Sequence, residues 1–132
     1  MTPFYENIEK LTLENNDYRR VLYTGLHSQV VLMSVAPGDE IGMEVHHVDQ
    51  FLRFESGVGK AIIDGDEFAL KDGTAVLVPA GANHNVINTG KKPLKLYTVY
   101  APANHIEGTI HHTKADADKD EADEAFGEKA GK

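Results

Sequence analysis

A chain of 132 residues, 41% of them hydrophobic, is long enough for one domain with its own core. The absence of cysteine excludes disulfides, thiolate metal sites and cysteine nucleophiles, and it fits a cytoplasmic location. A net charge of −8 argues against nucleic acid as a partner, because phosphate binding needs a basic face. The sequence has neither an apolar run near the ~20 residues of a membrane span nor the pattern of a signal peptide, so we expect no membrane association.

Residues 1–17 form a polar arm without a clear pattern. From residue 18 the chain consists of short segments rich in β-branched and aromatic residues, separated by Gly, Asp and Pro. These segments are 20–23, 29–35, 50–55, 60–63, 67–70, 75–78, 86–87 and 94–100. Asp64 and Gly65 predict a tight hairpin turn, since both tolerate positive φ. Short strands at this spacing predict an all-β sandwich or barrel over residues 18–114.

Residues 115–132 form an acidic tail that contains seven acids and three lysines. The tail is also rich in alanine, which gives it a helical composition. A segment with so few apolar residues buries little surface by itself. We therefore expect either a helix or a disordered tail after the barrel.

Four side chains able to bind a metal are placed so that they share one face. Glu44 and His46 are two residues apart and Gln50 is four further on, so on strands all three point to the same side. His84 stands on a separate predicted strand and supplies a fourth ligand. Their common direction predicts a site of two imidazoles, one carboxylate and one amide oxygen.

The spacing of these residues resembles the two signature motifs of the cupin superfamily. The first motif is matched in spacing from Gly38 through His46 to Gly57. The second is matched at every defined position, namely Gly73, Pro79, Gly81, His84 and Asn88. The resemblance covers roughly residues 20–100 and implies a single jelly-roll barrel, the architecture of that family.

The first motif departs from the family pattern at two ligand positions. Glu44 stands where a histidine is usual, and Gln50 stands where a glutamate is usual. The resemblance implies one divalent metal ion per chain, and this harder ligand set suits Zn, Mn, Fe or Ni. Glu, Gln and two His are also the ligand inventory of cupin-type phosphomannose isomerases, although in a different order.

Other histidines leave alternatives open. His47 has the opposite strand parity to His46 and is expected to point outward unless a bulge exchanges them. His105 or Lys114 lies in a polar segment that is either a surface loop or a lid binding an anionic substrate. His111 and His112 are expected on the surface of that loop.

The sequence predicts an enzyme acting on a small-molecule substrate, namely a metal-dependent sugar or sugar-phosphate isomerase or epimerase similar to mannose-6-phosphate isomerase. One alternative is an Fe- or Mn-dependent dioxygenase, and another is a non-catalytic small-molecule binding protein. Small cupins usually pair through their sheets, so a homodimer is expected. Leu22, Val31 and Phe51 are candidate apolar surface residues for that contact.

Overall fold

A computed structural model describes residues 2–132. Three helices and ten strands form over these residues. The helices are α1 (Ile8–Glu14), α2 (Lys114–Lys119) and α3 (Glu121–Lys129). The strands are β1 (Arg19–Thr24), β2 (Gln29–Val35), β3 (Glu44–Val45), β4 (Asp49–Ser56), β5 (Gly59–Ile63), β6 (Asp66–Leu70), β7 (Ala75–Val78), β8 (Asn83–Asn88), β9 (Leu94–Ala101) and β10 (Ile110–His111).

The strands form two antiparallel sheets that pack as a jelly-roll barrel. The six-stranded sheet has the order β10-β1-β2-β9-β4-β7, and the four-stranded sheet has the order β3-β8-β5-β6. Apart from the consecutive pairs β1–β2 and β5–β6, the neighbouring strands are far apart in the chain, so most of the pairing is long-range. The predicted all-β barrel is confirmed, and each predicted segment falls on a strand.

The barrel core changes from apolar to polar along its axis. Side chains on β4 and β9 alternate between the interior and the outside, as a two-residue period requires. The register sets Phe54 against Leu96 at one level and Gln50 against Tyr100 at another. Phe54 and Leu96 are fully buried, whereas Gln50 brings an amide into the interior at the other end. We call this second, polar end the mouth of the barrel.

Two turns have the geometry expected from their residues. Asp64 and Gly65 join β5 to β6 with φ of 49° and 88°, which is the positive-φ pair that a two-residue hairpin favours. The Asn88 side chain closes the turn after β8, because its oxygen accepts from the Gly90 amide at 2.9 Å. Its amide group donates to the Val35 carbonyl at 2.9 Å and ties that turn to β2.

The acidic tail is helical, which is one of its two predicted states. A capping box starts α2, with Thr113 accepting from the Asp116 amide and the Asp116 side chain accepting from the Thr113 amide. Asp120 caps α3 by accepting from the Asp123 amide. Among residues 2–132 no helix is both long and apolar enough to cross a membrane.

One of the residues expected at a dimer surface is buried. Val31 has no exposed surface and belongs to the barrel core, because the alternation of β2 turns it inward. It was therefore wrong as a surface candidate. Leu22 and Phe51 are half-buried, and Phe51 lies opposite the exposed Leu77 across the β4–β7 pair. The homodimer stays a prediction.

Replacing the motif glycines Gly57 and Gly73 by alanine is expected to reduce stability by different amounts. Both have positive φ, 94° and 85°, so alanine is strained at either position by about 1–2 kcal/mol. At Gly73 the new Cβ meets open space, but at Gly57 it lies 2.7 Å from the Pro93 carbonyl oxygen. We expect Gly57→Ala to lower the free energy of unfolding by about 2–5 kcal/mol, clearly more than Gly73→Ala. Urea unfolding of both variants measures the difference, and equal losses would contradict the close packing at Gly57.

Candidate metal centre

Three of the four predicted ligands meet at the mouth of the barrel. Glu44 on β3 lies directly opposite His84 on β8 in the antiparallel register, so both side chains project from the same face. His46 follows β3, and its imidazole packs edge-on against that of His84 with ring centroids 4.8 Å apart. One ligand atom from each of Glu44, His46 and His84 lies within 4.8 Å of the others.

The centre is mostly shielded from solvent. His46 and His84 are buried at 9% and 4% exposure, while the Glu44 side chain is one-third exposed on the outer side. Burial lowers the pKa of His84, which favours the neutral imidazole that binds metals. Burial raises the pKa of Glu44, but His46 and then Arg19 outweigh it and hold that pKa below its ordinary value. Glu44 is therefore ionised at neutral pH.

Hydrogen bonds fix which nitrogen of each imidazole is free. His84 Nδ1 lies 3.0 Å from the Ala82 carbonyl oxygen and therefore donates, leaving Nε2 with its lone pair. His46 Nδ1 lies 3.2 Å from Gln50 Oε1 and donates in the same way. Buried acceptors at both Nδ1 atoms thus orient both Nε2 atoms as ligands, a common arrangement at metal sites.

Within the described part of the chain, no hydrogen-bond donor contacts the Nε2 atom of either His46 or His84 when Nδ1 carries the proton. His84 Nε2 is buried and has no hydrogen-bond partner among residues 2–132. His46 Nε2 lies 3.3 Å from Glu44 Oε2, so with Nδ1 protonated two acceptors face each other. A metal ion placed between these atoms would satisfy their lone pairs.

The residues present fit a divalent metal ion. Ligand atoms that share an ion at about 2.0–2.2 Å are themselves roughly 3 Å apart, close to the separation of His46 Nε2 and Glu44 Oε2. Two imidazoles and one carboxylate would hold Zn, Mn, Fe or Ni and leave positions free for other ligands. Glu44, His46 and His84 can therefore bind a metal, as the sequence predicted for them.

Gln50 lies behind His46. Its Oε1 accepts from His46, and its Nε2 donates to Thr98 Oγ1 at 3.1 Å and to the Tyr100 hydroxyl at 3.2 Å. All its polar atoms have partners, so in this conformation Gln50 holds His46 in place. Ligation by Gln50 itself stays a prediction, and it would use the second lone pair of Oε1.

The same hydrogen bonds continue from His46 to the acidic tail. The Tyr100 hydroxyl accepts from Gln50 and donates to His105 Nε2 at 3.3 Å. His105 Nδ1 donates to Asp123 Oδ2 at 2.7 Å, and Asp123 Oδ1 accepts from the Ile106 amide at 2.8 Å. Every bond of this chain is oriented toward the carboxylate of Asp123, so α3 is connected to a metal ligand through the barrel interior.

A cavity of about 630 Å³ opens over the centre. Glu44 and His46 line one side, and α2 and α3 form the other. Glycines let the C-terminal segment approach the barrel closely. A Cβ on Gly131, which follows α3, would collide with the His47 carbonyl oxygen. A Cβ on Gly127 would lie 3.1 Å from the Asn104 carbonyl oxygen. The acidic tail is thus a wall of the candidate site.

The remaining predicted histidines have mixed outcomes. His47 is exposed, as its parity predicted, and lies at the cavity rim outside the ligand cluster. His105 is buried and lines the cavity. The surface placement of His111 was wrong: it is 4% exposed, because β10 pairs with β1 and turns this side chain inward. His112 is exposed, as expected.

Two residues of the site had no signal in the sequence. Arg19 lines the cavity from β1, and Asp123 reaches it from α3. Arg19 sits at the start of an ordinary strand pattern, and Asp123 is one of seven acids in the tail. The residues next to Arg19 and Asp123 in the sequence do not reveal these roles. Both roles depend on contacts with distant parts of the chain, Arg19 with His111 and Asp123 with His105.

Comparison with known proteins agrees with this geometry. A family model for the cupin domain matches residues 31–100. The uncharacterized protein YrkC of Bacillus subtilis strain 168 is 52% identical over 122 residues, which cover 87% of this chain and 66% of YrkC. The chain therefore spans about two thirds of the length of that relative.

Two further similarities concern a solved structure and an enzyme. The crystal structure of BH2720 from Bacillus halodurans superposes with a TM-score of 0.86 at 49% identity, over 88% of this chain and 93% of that one. Mannose-1-phosphate guanylyltransferase of Escherichia coli K12 is 34% identical over 73 residues, 54% of this chain but 15% of the enzyme. Because the family model matches more than half of the residues, this chain belongs to the cupin family.

Proposed function

We propose that this cupin is a metal-dependent isomerase or epimerase of a small polar molecule that carries a carbonyl next to a hydroxyl, such as a sugar or sugar phosphate. One observation carries the proposal: a His–Asp pair lines the same cavity as the candidate metal ligands. Isomerisation needs a base beside a polarised carbonyl, and this arrangement provides both positions in one space.

His105 is suited to act as the base. Burial lowers its pKa despite the hydrogen bond to Asp123, so the imidazole is neutral at pH 7. Nε2 accepts from the Tyr100 hydroxyl in this structure, and it is available as a base when that hydroxyl turns to another acceptor. Asp123 fixes the tautomer by accepting from Nδ1 and would stabilise the imidazolium that forms. Burial raises the pKa of Tyr100 above its ordinary value, so its hydroxyl stays protonated beside His105.

In the proposed isomerisation the metal centre and the His105–Asp123 pair have different roles. A divalent ion held by Glu44, His46 and His84 would supply Lewis acidity to the carbonyl and its neighbouring hydroxyl. His105 would take the proton from the hydroxyl-bearing carbon and return it to the former carbonyl carbon. The hydroxyl proton moves to the carbonyl oxygen, so no atom is gained or lost. The similarity to an enzyme named for mannose 1-phosphate supports sugar chemistry, although it covers a small part of that enzyme.

A second candidate is an iron-dependent dioxygenase. Two histidines and one carboxylate are the ligands of the facial triad that many Fe(II) oxygenases use. The two functions differ in the reagent consumed, because a dioxygenase takes up oxygen and an isomerase exchanges a proton with water. The test below separates them.

The isomerase proposal predicts exchange of a substrate hydrogen with solvent. Protein loaded with Mn, Zn, Fe or Ni is incubated in D₂O with neutral sugars, sugar phosphates and sugar acids such as uronates. Deuterium at the carbons flanking the carbonyl is followed by NMR. We expect His105→Gln to slow incorporation by about 100-fold or more while its metal content is unchanged. His27→Gln, an exposed histidine, is the matched control. No incorporation with any sugar would refute the isomerase, and substrate-dependent oxygen uptake would establish the dioxygenase.

The buried His105 also predicts how stability depends on pH. The pKa of His105 is lower in the folded than in the unfolded chain, so the unfolded state binds the extra proton and stability falls as pH drops below about 6.5. The lowered pKa of Asp123 adds a loss at more acidic pH, below the value of about 3.9 for an unfolded Asp. His84 acts in the same direction, so the comparison with a variant isolates His105.

We expect His105→Gln to reduce the slope of unfolding free energy against pH between 5 and 6.5 by up to about 1.4 kcal/mol per pH unit. Urea unfolding at a series of pH values measures this slope, and His27→Gln should leave it unchanged. An unchanged slope in His105→Gln would mean that His105 titrates normally in the folded protein.

A further inference from the structure

Arg19 carries a buried charge that the protein itself leaves without a contacting counterion. Its residue exposure is 7%, and its guanidinium stacks over the ring of Tyr18 at 5.2 Å. Among residues 2–132 no carboxylate lies within 4.0 Å of it, whereas Arg20 and Arg53 each pair with an acid. Arg19 Nε is buried and has no hydrogen-bond partner within the same range.

The side chain that Arg19 hydrogen-bonds is the imidazole of His111. Arg19 Nη1 donates to His111 Nδ1 at 3.1 Å, and His111 Nε2 in turn donates to Asp120 Oδ2 at 2.9 Å. The Asp120 charge is therefore one imidazole away from the guanidinium. Glu44 and Asp123 line the same cavity and interact with Arg19 at longer range. In the described part of the chain no carboxylate contacts the guanidinium directly, and such a contact would stabilise a buried cation.

The place for that anion is the cavity over the metal centre. Arg19, Glu44 and His46 all line this cavity. A divalent ion would more than neutralise Glu44, and together with Arg19 it would make the inner part of the cavity positive. The acids of the C-terminal helices that line the cavity are at the opposite wall, namely Asp118, Asp123, Glu124 and Glu128. Their negative charge disfavours a multiply charged ligand such as a phosphate dianion.

We propose that Arg19 binds the carboxylate of the substrate, and that the substrate is a small hydroxycarboxylate rather than a neutral or phosphorylated sugar. A planar guanidinium matches a carboxylate in shape, and the single charge matches the one available arginine. The carboxylate would make the direct ion-pair contact that Arg19 lacks, while the hydroxyl and carbonyl end faces the centre formed by Glu44, His46 and His84. This specificity rests on the proposed function, but the anion site itself is testable without turnover.

The first experiment measures anion binding at Arg19 in zinc-loaded protein, which is diamagnetic and so suits NMR. Sodium acetate is titrated against sodium chloride at equal ionic strength, and the Nε–H signals of the arginines are followed by ¹H–¹⁵N NMR. We expect the Arg19 signal to shift and saturate with acetate alone. Arg53 is an internal control because Glu55 already lies 3.0 Å from its Nε. Equal shifts with chloride, or tighter binding of inorganic phosphate than of acetate, would overturn the proposal.

Arg19→Lys assigns the signal and tests the role of the planar group. Lysine keeps the charge but presents no flat pair of donors, so acetate binding should weaken by about tenfold or more. Wild-type acetate binding decides the proposal even if this variant folds poorly. A folded Arg19→Lys protein that binds acetate as tightly as the wild type would contradict the carboxylate geometry.

The second experiment measures specificity with pairs of substrates that differ at one group. D-glucuronate and D-glucose, or D-galacturonate and D-galactose, differ by a carboxylate in place of a hydroxymethyl group. For a pair that is turned over, we expect the carboxylate member to have a KM at least about tenfold lower, and Arg19→Lys to remove this difference in KM. Equal KM values would refute the carboxylate role. Absence of all turnover would refute the proposed isomerase while leaving the acetate result to decide Arg19.

Discussion

The mutual repulsion of three acceptor atoms is the constraint on which the centre depends. His46 Nε2, His84 Nε2 and a Glu44 carboxylate oxygen converge at the mouth of the barrel, and both imidazoles are fixed by hydrogen bonds at Nδ1. A fold that buries such a cluster gives up the hydration of each atom. A shared cation would restore it, so the arrangement fits a metal-binding site better than a packed core.

The barrel makes this cluster possible by separating its apolar and polar ends. Leu52, Phe54 and Leu96 fill the interior, so the polar groups of Gln50 and Tyr100 can be buried at the mouth with all partners in place. The acidic tail then closes over that end and contributes the carboxylate of Asp123. Stability and site geometry are therefore coupled, because the hydrogen bonds that orient His46 also hold α3 against the barrel.

Much of this could be predicted from the sequence because the relevant patterns are local. The two-residue period placed Gln50 inside the barrel, and motif spacing brought Glu44, His46 and His84 to one face. The Asp64-Gly65 turn was also evident, since its backbone geometry depends on those two residues alone. In each case a short segment carried the whole signal.

The parts that were missed depend on contacts between distant segments. His111 was expected on the surface because a two-residue strand has no detectable period, and only its pairing with Arg19 turns it inward. Asp123 resembles the other acids of the tail until α3 docks on His105. The unpaired state of Arg19 is a property of its whole surroundings, which no spacing rule describes.

Metal content is the most direct test of the account. Protein purified without chelator or added metal is analysed by elemental mass spectrometry beside a His46→Ala/His84→Ala double variant and a His47→Ala control. The account predicts about one divalent ion per chain in the wild type and in His47→Ala, and its loss in the double variant. No metal in the wild type, or equal metal in the double variant, would contradict a metal centre at Glu44, His46 and His84.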